Sequence, residues 1–309
     1  MLVLDYLDED VAYLLGLIIA RGTFVDEGGV KRLIITFPFR NLEAIGRDKR
    51  FDQRQSLLAS LHPVRERLSE LSGVEPRVVG RADEIDVVFE FAKNTMFWRN
   101  LRLLTGNRTN HYEFEVPEEV FKVKESVQKE FIRGYADVAG SARWANRDQN
   151  DRARIYLDVL NRNWKLPVQL CRLLQDHLSI PVNTIDWGHP NMRDPELKDY
   201  NSGRRGSWAR EHQIKIYAEA FEKAGFYIEH KQEILNELAD YNKKTFDKYP
   251  DFCRPSEKRV RKPKMVHPEE NSDKLPERIR GKHFDAYWQI CCYMGCCRCR
   301  ELILQSKLA

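Results

Sequence analysis

Two stretches decide how this chain is read: Val11-Ala12-Tyr13-Leu14-Leu15-Gly16-Leu17-Ile18-Ile19-Ala20-Arg21-Gly22-Thr23, and Glu130-Phe131-Ile132-Arg133-Gly134-Tyr135-Ala136-Asp137-Val138-Ala139-Gly140-Ser141. Each reads as an apolar helix with a small residue in mid-face, ended by a glycine and followed by a strand-like run. Glycine permits two helix backbones to approach where a side chain would hold them apart. Gly16 and Gly134 sit at matched positions.

The elements that follow repeat as well. After Gly22, Thr23–Val25 and Lys31–Phe37 read as strands around the turn signal Asp26-Glu27-Gly28-Gly29. Leucines and Val64 at helical spacing predict a helix from about Gln53 to Leu71, stopped by Gly73. Arg77–Arg81 and Ile85–Phe91 form a second strand pair, and Asn94 or Thr95 caps a helix through Leu104 that Gly106 ends. The order is α-β-β-α-β-β-α, with a charged insert, Asn41–Asp52, of no legible role. The second copy has longer connections. Helix Ser126–Ala139 leads to strands near Ala142–Asn146 and Arg152–Val159, a helix from about Leu166 to Leu178, strands near Asn183–Trp187 and His212–Tyr217, and helices Ala218–Ala224 and Lys231–Tyr241. Gly188–Arg210 is a long loop, which in a compact domain is usually functional or disordered.

Composition sets outer bounds. The chain has 309 residues, 42% hydrophobic and 32% charged, with a net charge of only +4. That suits a soluble protein of two or three domains, and partner choice rests on local patches rather than bulk charge. No apolar run reaches the roughly 18 residues of a membrane span, and Asp5, Asp8, Glu9 and Asp10 argue against a signal peptide. A cytoplasmic location without membrane contact is the expectation. Six of the seven cysteines lie beyond residue 250, after a basic, proline-flanked linker. Cys292, Cys296 and Cys299 share one face of an expected helix from about His283 to Ser306, and Cys253 is a fourth candidate ligand. Four thiolates suit a structural Zn²⁺, and an iron–sulfur cluster is chemically compatible. The alternative is a buried face of free thiols.

The paired glycine helices, taken with the duplicated element order, resemble the LAGLIDADG motif of homing endonucleases, intein nucleases and related DNA-binding proteins. The likeness spans roughly residues 8–242. It implies an α+β fold of two pseudo-symmetric αββαββα repeats in one chain, acting as a monomer, with the motif helices packed together between them. A first repeat at 1–110, a second at 111–244 and a basic linker with a Cys-rich helical tail at 245–309 are expected. In that family the acid just before the terminal glycine holds the catalytic metal. Here those positions are Arg21 and Ala139. Asp137 lies roughly 200° around the helix from Ala139, so it does not simply substitute.

The same likeness places the sheets on DNA, where alternate side chains of a strand face base edges. Candidate contacts are Arg32, Thr36, Arg77, Arg81, Arg143, Arg152, Arg154, Tyr156, Gln213 and Lys215 on strands, Arg204 and Arg205 in the long loop, and Arg21 as a clamp on the backbone. The expected function is sequence-specific binding of double-stranded DNA without cleavage. A transcriptional regulator, or the recognition subunit of a defence or modification system whose partner supplies nuclease or motor activity, would fit. One alternative is a Mg²⁺-dependent endonuclease using other acids, for which Asp137, Asp86 and Glu90 are the candidates. Asp86 and Glu90 with Lys93 resemble the carboxylate–carboxylate–lysine cluster of restriction-type nucleases, although the Glu90–Lys93 spacing departs from it by a residue. A second alternative is RNA binding, as in the family's maturase branch.

Overall fold

The computed structural model describes residues 6–27, 29–91, 95–148, 150–160, 165–190, 210–246 and 283–284. The first helix, α1 (Glu9–Arg21), is apolar on every side because it runs through the middle of the molecule, and Val11 to Ala20 are all buried. Asp8 caps it, its carboxylate accepting from the Val11 amide at 2.9 Å, with Glu9 and Asp10 on the positive end of the dipole. It ends at Gly22, whose N–H bonds the Ile18 carbonyl. The helix α6 (Glu125–Ala139) ends the same way, with Gly140 bonding the Ala136 carbonyl. The two helices cross at Gly16 and Gly134.

Around this pair the two repeats share one plan. In the first, α1 is followed by β1 (Gly22–Glu27) and β2 (Val30–Pro38), then an insert made of α2 (Phe39–Leu42), β3 (Ala44–Ile45) and β4 (Arg50–Phe51). Next come α3 (Arg54–Ala59), α4 (His62–Ser72), β5 (Arg77–Gly80), β6 (Glu84–Phe91) and α5 (Met96–Leu104). In the second, α6 leads to β7 (Gly140–Arg147), β8 (Ala153–Leu160), α7 (Lys165–Arg172), β9 (Thr184–Pro190), β10 (Arg210–Tyr217), α8 (Ala218–Phe221) and α9 (Glu229–Thr245). The first sheet runs β1-β2-β6-β5 and the second contains β7-β8-β10-β9, the same order. Register agrees as well: Gly22 pairs with Ile35 and Ile35 with Val87, as Gly140 pairs with Leu157 and Leu157 with Ile214. Ile35, Val87, Leu157 and Ile214 are buried, so the register is fixed by which residues must face the core. The fold is therefore α+β, with two pseudo-symmetric repeats of a LAGLIDADG-like kind.

Three expectations change, and one open stretch gains a structure. The helix expected over Gln53–Leu71 is two helices, because Pro63 lacks an N–H to continue the ladder and is accommodated in the first turn of α4. The helix expected to reach Leu178 ends its α-helical part at Arg172 and continues as a single π turn, Leu173–His177. The insert at Asn41–Asp52, whose role the sequence left open, is tied to the second repeat. Its strand β3 joins the edge of the second sheet, parallel to β7, with Ile45 opposite Arg143. Finally, His283 and Phe284, expected to open the cysteine helix, are extended as β11 and pair with Asp186 and Ile185 of β9.

Candidate nucleic-acid interface

The centre of the expected site is where α1 and α6 end. Arg21 is the last residue of α1, and its Nη2 lies 2.7 Å from Oε1 of Glu211. Arg40 bonds the same oxygen. Burial alone would lower the Arg21 pKa, but the Glu211 carboxylate outweighs it and holds the guanidinium above its ordinary value. Burial likewise would raise Glu211, and the two arginines bring it below the usual carboxylate range. Ala139, the matching residue of α6, is fully buried, and its carbonyl accepts from Asn41 Nδ2 at 3.1 Å. The same amide nitrogen reaches Asp158 Oδ2 at 3.0 Å, and Gln213 Nε2 reaches Asp158 Oδ1 at 3.0 Å.

A hard divalent cation needs carboxylate oxygens turned toward it. The helix ends offer a guanidinium and a methyl group, and the neighbouring acids Glu211 and Asp158 already receive N–H donors. These residues do not fit a two-carboxylate metal centre. Among the described residues, no group of three or more His, Cys, Asp or Glu is placed to hold a metal ion. Nor does Arg21 stand free as a phosphate clamp, since a phosphate would have to compete with Glu211 for it.

The outer face of the first sheet carries the expected polar row. Cross-strand pairing sets Arg32 opposite Glu90 and Thr36 opposite Asp86. Arg32 Nε and Arg77 Nη2 both bond Glu90 Oε1, at 2.8 and 2.7 Å. Asp86 accepts from the Thr36 hydroxyl at 2.8 Å and pairs with Arg81 at 2.5 Å. Arg32, Arg77 and Arg81 keep 44%, 65% and 57% of their side-chain surface in solvent. Asp86 and Glu90 are thus held by arginine, which does not suit metal ligation, and Lys93 lies outside the described residues.

The second sheet places its equivalents by register. Arg154 occupies the place of Arg32, Asp158 that of Thr36 and Gln213 that of Asp86. Here the face is more enclosed: Gln213 and Lys215 are buried, and Lys215 stands 4.9 Å over the Tyr156 ring. Arg154 bonds Asn183 Oδ1 at 3.0 Å, the Arg147 carbonyl at 2.8 Å and the Tyr156 hydroxyl at 3.2 Å. Two further candidates are drawn into the structure. Arg152 bonds Glu219 at 2.7 Å, and Arg143 bonds the Arg40 carbonyl at 2.9 Å as well as Glu43. Arg204, Arg205, Cys253, Cys292, Cys296 and Cys299 lie outside the described residues.

Asp137, the remaining acid candidate, is fully buried between the helices. It accepts from the Tyr13 hydroxyl at 2.7 Å and from the amides of Tyr227 and Ile228. Burial raises its pKa, opposed chiefly by Lys231. Lys231, also fully buried, donates to the carbonyls of Ala136, Asp137 and Gly140 at 2.8, 3.0 and 2.9 Å, closing the end of α6; burial depresses its pKa. Sequence reasoning missed Lys231, Glu211, Arg40 and Asn41. Lys231 did carry a signal, since Ile234, Leu235 and Leu238 follow it at i+3, i+4 and i+7 and put it in the apolar stripe of α9.

No protein-family model matches the chain, and no curated protein matches it. Solved structures are similar in fold. The homing endonuclease I-DmoI in complex with DNA and Mn shares 15% identity over 75% of this chain and 96% of its own, at a TM-score of 0.38. The N-terminal LAGLIDADG domain of DUF199/WhiA shares 14% identity over 74% of this chain and 82% of its own, at a TM-score of 0.34. The LAGLIDADG-like architecture stands on the strand order, the register and the glycine crossing of the chain itself. No described helix is long and apolar enough to cross a membrane.

Proposed function

We propose that this protein binds double-stranded DNA sequence-specifically, as a monomer, without cutting it, laying its two sheets along the major groove. The observation that carries the reading is the accessible row Arg32, Thr36, Arg77 and Arg81 on the outer face of the first sheet, combined with helix ends that carry Arg21 and Ala139. Arginines on a twisted antiparallel sheet can present paired donors to guanine O6 and N7, or neutralise phosphates. On DNA, Arg32 and Arg77 would exchange Glu90 for the duplex. The first repeat then contributes more of the readout than the second, whose matching face is more enclosed. The role that fits is that of a regulator, or of a recognition subunit working with a partner that acts on DNA. The endonuclease reading is disfavoured because Asp137, Asp86 and Glu90 are each held by hydrogen-bond donors or arginine.

Fluorescence anisotropy with a labelled duplex, titrated at several salt concentrations, tests the reading. Binding should weaken steeply with salt, and an excess of structured RNA should compete poorly. Affinity for RNA equal to that for duplex, or no salt dependence, would contradict it.

A further inference from the structure

The insert between β2 and α3 is bonded almost residue by residue to the other repeat. Arg40 pairs with Glu211, and its carbonyl accepts from Arg143. Asn41, 1% exposed, bonds the end of α6 and Asp158. The Leu42 carbonyl accepts from His230 Nε2 at 2.7 Å, and Glu43 pairs with Arg143. Farther out, the Glu237 carboxylate of α9 accepts from the backbone amides of Arg47 and Asp48, and Lys49 pairs with Glu233.

The helices α1 and α6 pack along much of their length and approach closest where Gly16 meets Gly134, so rotation about that crossing is the motion by which the two sheets could change their angle. Arg67 of α4 already ties the first repeat to Glu130 of α6, and an attachment at the sheet edge, farther from the crossing, restrains that rotation more. We propose that residues 40–49 are a strap that fixes the angle and separation of the two sheets, so that Asn41 and Glu237 are positioning residues that set which half-site spacing the protein accepts. The proposal rests on the DNA-reading function for its biological consequence, but not for its mechanics.

The test uses the full chain with spin labels on a keto-bearing noncanonical residue at the exposed positions Val79 and Ala145, one in each sheet. The wild type should give one narrow distance distribution. Glu237→Ala combined with Lys49→Ala, which removes the outer attachment between half-buried Glu237 and exposed Lys49 and their partners, should broaden it with unchanged circular dichroism, and Asn41→Ala should broaden it further. On duplexes with one base pair inserted between half-sites, the wild type should lose roughly tenfold in affinity and the outer-strap variant much less. Variant distributions as narrow as the wild type would overturn the strap. Broadened distributions with no duplex bound by the wild type would leave the strap standing and defeat the DNA reading instead.

Discussion

Gly16 and Gly134 touch each other's helix backbones: a Cβ on Gly16 would stand 2.1 Å from the Phe131 carbonyl oxygen, and one on Gly134 would stand 2.0 Å from that of Tyr13. Both obstacles are backbone atoms inside helices, which cannot swing away as a side-chain tip can. Gly16→Ala must therefore push α1 and α6 apart along their whole contact. A loss of about 3 kcal/mol or more is expected in urea unfolding, at the upper end of overpacking costs. Gly80→Ala, with nothing within 4 Å of the added carbon, is the control and should stay within about 0.5 kcal/mol.

Glu211 holds Arg21 and Arg40 together at the end of α1. Glu211→Gln keeps the shape and removes the charge, leaving two guanidinium groups in a buried setting. Breaking one side of a buried pair costs about 3–5 kcal/mol, so the midpoint of chemical denaturation should fall accordingly. A change under about 1 kcal/mol would mean that the ion pair is not part of what holds the helix ends.

His111 is bonded through Nδ1 to the Gly22 carbonyl at 3.1 Å, and burial, with Arg21 nearby, brings its pKa from 6.5 down to about 4. Between those values the unfolded chain binds a proton that the folded chain does not. Stability contributed by neutral His111 is therefore full above about pH 6.5, declines as pH falls and levels off below about 4. His230 is displaced in the same direction, again by burial first. His111→Asn should reduce the slope of unfolding free energy against pH in that window by up to one proton. An unchanged slope would show that His111 does not titrate as its surroundings imply.

Arg32 and Arg77 share Glu90, so removing one leaves the carboxylate still paired and the fold intact. If they read bases, Arg32→Ala should cost about 1–3 kcal/mol in duplex affinity and relax sequence preference over a short stretch of the site. If Arg32 contacts only phosphate, all sequences should weaken alike and the salt slope should drop by about one charge. No change in affinity or preference would remove the first sheet from the interface.

Much of this architecture is legible in the sequence. The glycine-centred helices gave the crossing, and strand alternation such as Leu33, Ile35 and Phe37 against Arg32 and Thr36 gave both the inward face and the polar row. Arg21 as a backbone clamp was harder to judge, because its partner Glu211 is far away in sequence and in the second sheet, and only the packing of the two repeats brings them together. The strap was illegible for the same reason: Asn41, Leu42 and Glu43 look like an ordinary charged insert until Arg143 and His230 are beside them. Pro63 did carry a readable signal, and the break between α3 and α4 follows from it. Lys231 was readable too, as a charge within an apolar stripe whose partners turned out to be helix-end carbonyls.

The central claim is a duplex reader that does not cut, and selection from a random duplex library with and without Mg²⁺ tests it most directly. The account predicts one enriched motif, the same in both arms, recovered as intact DNA. Discrete cuts that depend on Mg²⁺, abolished by Asp137→Asn or Asp86→Asn in a still-folded protein, would contradict it and place the chemistry on acids that the structure shows engaged elsewhere.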